Sequence, residues 1–334
     1  MALWMVRAGR NGEQEEGALE HGVATIGWND FPDLSSIGSR DELKELYEQH
    51  YPGEKTKQVA HAVGQLWAFI SRIQRDDLVV LPLKTRSALA IGRVTGPYEH
   101  RVDLAPNIRH VRPVDWMRTD LPRTAFEQDL LYSFGAFMTV CQIQRNDAEQ
   151  RVRAIVEGER IAWPPGGDDD GPQVVDVEQV ARDQILAYVS THFKGHDLAR
   201  LVEAVLQAQG YVTKKSEPGP DGGVDILGAA GAMGFERPRL CVQVKSSDTA
   251  ADVNVLRSLQ GTMGNFGAEQ GLLVSWGGFT RATLEEARRS FFTARLWDSG
   301  GLLEAVVKNY DGLPDSLQAE LPLKRMWALV LEEE

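Results

Sequence analysis

The chain has 334 residues and a formal net charge of −12, from 36 Lys and Arg against 48 Asp and Glu. That balance excludes a protein that coats nucleic acid with its whole surface, because neutralising phosphates needs clustered Lys and Arg. It leaves room for one basic groove beside acidic metal ligands, since global charge speaks to solubility and steering rather than to a single cleft. A hydrophobic share of 43% and a charged share of 25% fit a globular protein with real cores, and the length predicts two domains or more. Cys141 and Cys241 form no CxxC pair and no Cys/His cluster of zinc spacing, so both are expected as buried free thiols. The start MALWMVRAGRNGEQEEG turns polar too early for a signal peptide, and no apolar run approaches the ~20 residues of a membrane span. The expected location is therefore cytoplasmic, with no membrane partner.

In chain order, LWMVRA (3–8) and GVATIGW (22–28) read as strands. Ser39 precedes DELKELY with Glu42 three positions on, the spacing of a capping box that starts a helix. Apolar residues at 59, 62, 63, 66, 69, 70 and 73 have helical spacing. LVVLPL (78–83), ALAIGRVTG (88–96) and 111–116 read as further strands. Residues 126–143 are strongly apolar and are expected as a helix, with 152–161 extending it or folding back. Prolines, paired glycines and three aspartates in WPPGGDDDGPQVVD then predict a solvated linker.

Beyond the linker, 177–191 and 195–209 read as helices, the second ending at Gly210, where a left-handed cap is expected. Strands are predicted at 211–215, after PGPDGG, at 240–245, 271–275 and 294–298. Helices are predicted at 280–290, with Thr280 at the start, and at 300–309. The order fits a mixed sheet with helices on its faces.

Chemistry concentrates on two of these strands. Asp225 follows Asp221-Gly222-Gly223 and enters an apolar run, with Val224 and Ile226 expected in different layers. An isolated ionised carboxylate there is costly unless paired or bound to a cation. In LCVQVK, side-chain alternation puts Cys241, Gln243 and Lys245 on one face, with Gln243 and Lys245 roughly 6.5–7 Å apart. If the two strands pair, a carboxylate, an amide oxygen and an ammonium converge. The carboxylate, with a main-chain carbonyl near Val244, would hold a divalent cation. Lys245 would orient or deprotonate a water, or stabilise charge at phosphorus.

PDGGVDILG followed by QVK resembles the core of Mrr-type restriction endonucleases, within the PD-(D/E)xK nuclease superfamily. The resemblance runs from about Gly195 to Asn309 and includes GLLVSWGGFT. It implies a restriction-endonuclease-like mixed sheet flanked by helices, a Mg²⁺ cofactor with Mn²⁺ as substitute, and Asp225, Gln243 and Lys245 as catalytic residues. Glu203, on the first helix of the resembling region, matches a helper carboxylate by position, so the implied metal ligands are Asp225, Glu203 and Val244. Gln260 resembles a position near the site, and Asp221 is read either as taking a direct part in the site or as a turn former. Gln243 departs from the Glu or Asp usual in the superfamily, although Mrr-like members carry Gln there.

The stretch from Leu3 to Trp116 resembles the PUA-like superfamily, EVE-like modules above all, on LWMVRAG, GVATIGW, GQLWAF, DDLVVLPLK and ALAIGRVTGPY. That implies a mixed β-barrel with inserted helices that takes up a modified base flipped from the duplex. Trp28, Asp30 and Phe31 are the candidate pocket, and Lys84, Arg86, Lys214 and Lys215 the candidate phosphate contacts. The overall class is then α+β in the first half and α/β in the second. The expected divisions are 1–120 (base reader), 121–163 (helical connector), 164–176 (flexible linker), 177–310 (nuclease) and 311–334 (tail or helix). The implied function is a metal-dependent DNA endonuclease of the modification-dependent, type IV kind, acting against foreign DNA. Its partner would be double-stranded DNA, with modified cytosine as the target, and a homodimer or transient dimer would cut both strands. The alternatives are a repair or structure-specific nuclease, and an inactive nucleic-acid-binding module.

Overall fold

Two separate cores emerge from these patterns. The computed structural model describes residues 1–136, 138–158, 176–216 and 223–327. The described residues divide into one unit up to Val180 and a second of Ala181–Trp327. The expected linker lies outside the described residues up to 175, and so does Asp221.

The first unit is built on seven strands: β1 (Leu3–Val6), β2 (Val23–Thr25), β3 (Leu78–Pro82), β4 (Ala88–Val94), β5 (Glu99–Ala105), β6 (Ile108–Pro122) and β7 (Val140–Ile143). Their order is β2-β6-β4-β3-β1-β7, with β5 also on β6. Among the described residues only the β1–β3 pair is parallel. The helices are α1 (Glu15–Glu20), α2 (Arg40–His50), α3 (Thr56–Trp67), α4 (Gln128–Phe134) and α5 (Ala148–Glu157). Both faces of the sheet are buried, which is why LVVLP reads as an unbroken apolar run. Trp4, Val6 and Val79 pack with residues of α2 and α3, such as Leu43, Val63 and Leu66. Leu3, Met5, Leu78 and Val80 turn the other way, onto Leu130, Phe134 and Val152 of α4 and α5. Each such buried Leu or Val contributes about 1.5–3 kcal/mol.

Two expectations need correction here. Residues 126–143 are not one helix: α4 ends at Gly135, and β7 returns to pair antiparallel with β1, Met5 opposite Cys141. Apolar content misled because both states bury such a run. The expected β-barrel is also not closed among the described residues, since β2 and β7 end the strand path. The sheet curls instead. The long β6 pairs first with β2 and β5 and then with β4, through register shifts at Ile91. Such irregularities bend a strand and raise its twist.

Helix α6 (Val177–His192) leads into the second unit, made of α7 (His196–Ala208), β8 (Val212–Lys215), β9 (Ile226–Ala230), β10 (Glu236–Lys245), α8 (Val253–Met263), β11 (Gln270–Ser275), α9 (Arg281–Arg289), β12 (Ala294–Trp297), α10 (Ser299–Asn309) and α11 (Asp315–Glu320). Its five-stranded sheet has the order β12-β11-β10-β9-β8. Strands β8, β9 and β10 run antiparallel, and β10, β11 and β12 run parallel. Leu198, Leu201, Val202, Val205 and Leu206 of α7 are all buried, as their spacing predicts, against Ile226, Leu240 and Val242. Gly210 takes the expected left-handed conformation, φ +94°. Val224, Cys241 and Leu273 pack on the opposite face, with Leu256 and Leu259 of α8. Val224 and Ile226 do fall in different layers, because β9 becomes regular only at Ile226.

Candidate active site

The antiparallel register of β9 on β10 pairs Ile226 with Val242 and Leu227 with Cys241. Asp225 immediately precedes Ile226, where that one-to-one register stops. Its N–H donates to the carbonyl of Val242, the residue Ile226 already opposes, at 2.8 Å, so Asp225 is held on β10 just outside the regular pairing. On the other side the Ser216 N–H donates to the Asp225 carbonyl, also at 2.8 Å. The Asp225 backbone is thus clamped between the chain leaving β8 and β10. Its side chain turns to β10 as well, where Oδ2 accepts the Val244 N–H at 2.7 Å.

Gln243 is only 6% exposed. Its Oε1 has no hydrogen-bond partner among the described residues. An unsatisfied buried acceptor costs about 1–3 kcal/mol, so this atom calls for a donor or a cation. Gly223 closes in from the turn before Asp225. A Cβ there would meet Gln243 Nε2 at 3.4 Å, and the φ of +83° already favours glycine. Lys245 is half-buried, two residues on, at the end of β10. The strand alternation that holds Cys241 and Leu273 in one core puts Gln243 and Lys245 on that same face.

A divalent ion fits these donors in kind. A carboxylate and an amide oxygen, both hard, are what Mg²⁺ or Mn²⁺ takes, and the orphaned Gln243 Oε1 is the observation that favours it. Among the described residues no group of three or more His, Cys, Asp and Glu could hold a metal, so any such site relies on Gln243, backbone or water. Val244 meets Asp225 through its N–H rather than a carbonyl. Glu203 is engaged elsewhere: its Oε1 accepts the Thr213 hydroxyl at 3.0 Å, on β8. Gln260 donates from Nε2 to Ser290 Oγ at 2.8 Å, so it braces α8 against the end of α9.

The aromatic and basic candidates separate. Phe31 is 2% exposed and stacks parallel on Tyr51 at 5.7 Å, so it is a core residue and not an open stacking face. Trp28 is half-buried with φ +56°, at the start of the turn in which the Phe31 N–H donates to its carbonyl. Asp30 is exposed and accepts the Tyr51 hydroxyl at 2.8 Å. Burial, and then Asp30, pushes the Tyr51 hydroxyl well above its usual range. Two expected phosphate contacts are already committed within the protein. Lys84 Nζ is 2.8 Å from Asp176, and Arg86 donates to the Thr119 carbonyl at 2.8 Å. Lys214 and Lys215 are exposed on β8, an edge of the second sheet. Both cysteines are buried and free, and burial raises each thiol to about 11.

Comparison with known proteins points the same way for the second unit. Residues 191–306 match the Mrr_cat family, described as restriction endonuclease. Residues 4–143 match a family described as Domain of unknown function (DUF8426). No curated protein sequence matches the chain. Among solved structures, it is similar to the DNA modification-dependent restriction endonuclease AspBHI, at 14% identity over 81% of this chain and 76% of that one, with a TM-score of 0.34. It is also similar to the MspJI restriction endonuclease in complex with a 27-mer oligonucleotide, at 15% identity over 96% and 79%, with a TM-score of 0.33.

Proposed function

Residues 191–306 carry a restriction endonuclease domain of the Mrr type, and from it we propose that the chain is a divalent-metal-dependent DNA endonuclease centred on Asp225, Gln243 and Lys245. The observation that carries this reading is the orphaned Oε1 of Gln243 beside the clamped Asp225 carboxylate, with Lys245 two positions along the same strand. Asp225 and Gln243 would hold Mg²⁺ or Mn²⁺. Such a cation supplies charge neutralisation at a phosphoryl oxygen and acidifies water.

The chain's own groups have separable tasks. The Val244 N–H fixes one Asp225 oxygen, so the carboxylate keeps one orientation. Lys245 donates hydrogen bonds to a phosphoryl oxygen or to the attacking water, where its charge offsets the negative charge that develops at phosphorus. Glu203 accepts the Thr213 hydroxyl with Oε1, and its second carboxylate oxygen is the one it would offer to the ion.

The same proposal extends to the first unit, which has a core of its own next to the nuclease unit in sequence. We read it as a module that captures double-stranded DNA bearing modified cytosine, with Trp28 and Asp30 at its contact loop. The second unit then cuts nearby, as a type IV restriction enzyme does, in the cytoplasm and as a dimer or transient pair. Lys214 and Lys215 are the phosphate contacts retained in this reading.

The test is digestion of unmodified, methylcytosine- and hydroxymethylcytosine-containing duplexes by the full chain, with Mg²⁺, Mn²⁺ or chelator. Cleavage of modified DNA only, lost in Asp225→Ala and Lys245→Ala, is the expected result. Equal cutting of all three removes the reader role. A preference for flaps or junctions favours a repair nuclease, and binding without cleavage leaves a nucleic-acid-binding module.

A further inference from the structure

Beside Lys245 lies a residue to which the sequence reading gives no role. The parallel register of β10 on β11 pairs Lys245 with Ser275. Paired residues of neighbouring strands project from the same face, so the serine hydroxyl and the lysine side chain rise side by side. Ser275 is 0% exposed, and its Oγ has no hydrogen-bond partner among the described residues. Two positions back on β10, on the same face, stands Gln243 with its own orphaned Oε1. A hydroxyl offers one donor and two acceptor sites, an amide oxygen only accepts, and an ammonium only donates. The three groups therefore complement one another in sign.

The surrounding backbone is rigid where it holds these two strand ends. The Trp276 N–H donates to the Lys245 carbonyl at 2.8 Å, and the Gly277 N–H donates to the Ser247 carbonyl at 3.0 Å. A Cβ on Gly277 would lie 2.4 Å from the Asp248 backbone, so the turn after Ser275 packs directly on the loop after Lys245. Ala251 N–H to the Gly278 carbonyl, at 2.9 Å, closes the same contact further on.

We propose that Ser275 is a positioning residue for Lys245: its hydroxyl accepts a hydrogen bond from the ammonium and holds it over the sheet beside Gln243. The proposal rests on the nuclease reading for its consequence in catalysis, but not for the contact itself. A rotating ammonium reaches a reacting phosphate in many orientations, and a tethered one in few, so the tether acts on turnover rather than on binding.

The experiment uses the full chain as wild type, Ser275→Ala, Ser275→Cys and Ser275→Thr. One arm measures how fast an amine-acylating reagent modifies Lys245 at fixed pH, read by peptide mass spectrometry with Lys214 and Lys215 as internal controls. Removing the hydroxyl should raise the Lys245 rate about threefold or more, and Ser275→Thr should restore it. The second arm measures DNA cleavage. There kcat should fall about tenfold in Ser275→Ala and Ser275→Cys, with KM and DNA binding unchanged and recovery in Ser275→Thr. The cysteine variant keeps the buried volume filled if the alanine variant fails to fold. Unchanged Lys245 reactivity in either variant overturns the proposal, whether or not the protein cuts DNA. Altered reactivity in a protein that cuts nothing supports the contact and sinks the nuclease reading instead.

Discussion

Asp225 Oδ2 accepts the backbone N–H of Val244 at 2.7 Å, so the carboxylate that the sequence singles out is held by the strand that carries Gln243 and Lys245. The bond ties a chemical group to the register of two strands. A slip of one residue would turn Gln243 and Lys245 to the other face and take Asp225 from Val244.

Replacing Asp225 separates the hydrogen bond from the charge. In Asp225→Asn the amide oxygen still accepts from Val244, so unfolding free energy should change by less than about 1 kcal/mol. Asp225→Ala leaves that partly buried N–H unpaired and should cost about 1–3 kcal/mol. Both should abolish Mg²⁺-dependent cleavage. Chemical denaturation with a parallel cleavage assay checks this, and equal stability of the two variants would show that the hydrogen bond contributes little.

Gln243→Glu places a charge where the side chain is 6% exposed. Without metal the variant should be less stable by roughly 3–5 kcal/mol, because burying a carboxylate charge is costly. Added Mg²⁺ or Mn²⁺ should recover more stability than it gives the wild type, because ligand binding to the native state alone raises Tm. Thermal scans across a metal titration measure it. A variant that gains nothing from metal would place the ion elsewhere.

Phe31 and Trp28 should answer differently. Phe31→Ala removes a buried ring from a cluster with Tyr47, His50 and Tyr51 and should cost about 3–5 kcal/mol. Trp28→Ala changes a half-buried side chain and should cost less, while reducing the preference for modified DNA. Denaturation and competitive binding of modified against plain duplex distinguish them. If Trp28→Ala leaves that preference intact, the reading of its loop fails.

His110 predicts an acid-side loss of stability in the first unit. Burial, and next the neighbouring His100, lowers its imidazole from 6.5 to about 4. Its Nδ1 lies 2.8 Å from the Tyr98 hydroxyl, which also accepts the Leu34 N–H at 3.2 Å. Above pH 6.5 neither state is protonated there, and the shift has no effect. Between about pH 6.5 and 4 the unfolded chain takes up the proton and the folded one does not, so stability falls with pH. The full loss is about 3 kcal/mol. Comparing the pH dependence of Tm in wild type and His110→Gln isolates it, and parallel curves would refute it.

Local signals were read well from the sequence. Ser39 does cap α2, accepting the Glu42 N–H at 3.1 Å, and Thr280 caps α9. The apolar stripe of α7 and the alternation of β10 fall where their periods put them. Besides β7, three elements escaped: the short α1, β5 and α8. The run Glu99–Ala105 is polar enough to pass for a loop, with five of its residues only half-buried and two exposed. The helix Val253–Met263 buries only Leu256, Leu259 and Met263, a stripe too narrow to announce itself.

By itself the sequence determined which chemistry-bearing residues share a strand face, because alternation along β10 is a property of the backbone and needs no neighbour. It therefore placed Gln243 and Lys245 together, and it marked Asp225 as a carboxylate in need of a partner. Only the tertiary structure decided what stands beside them. Register across β9, β10 and β11 is set by whole-sheet packing, and it brought Val244 to Asp225 and Ser275 to Lys245. The same long-range packing put Phe31 in the core and returned β7 to β1, because those contacts join segments that no local period relates.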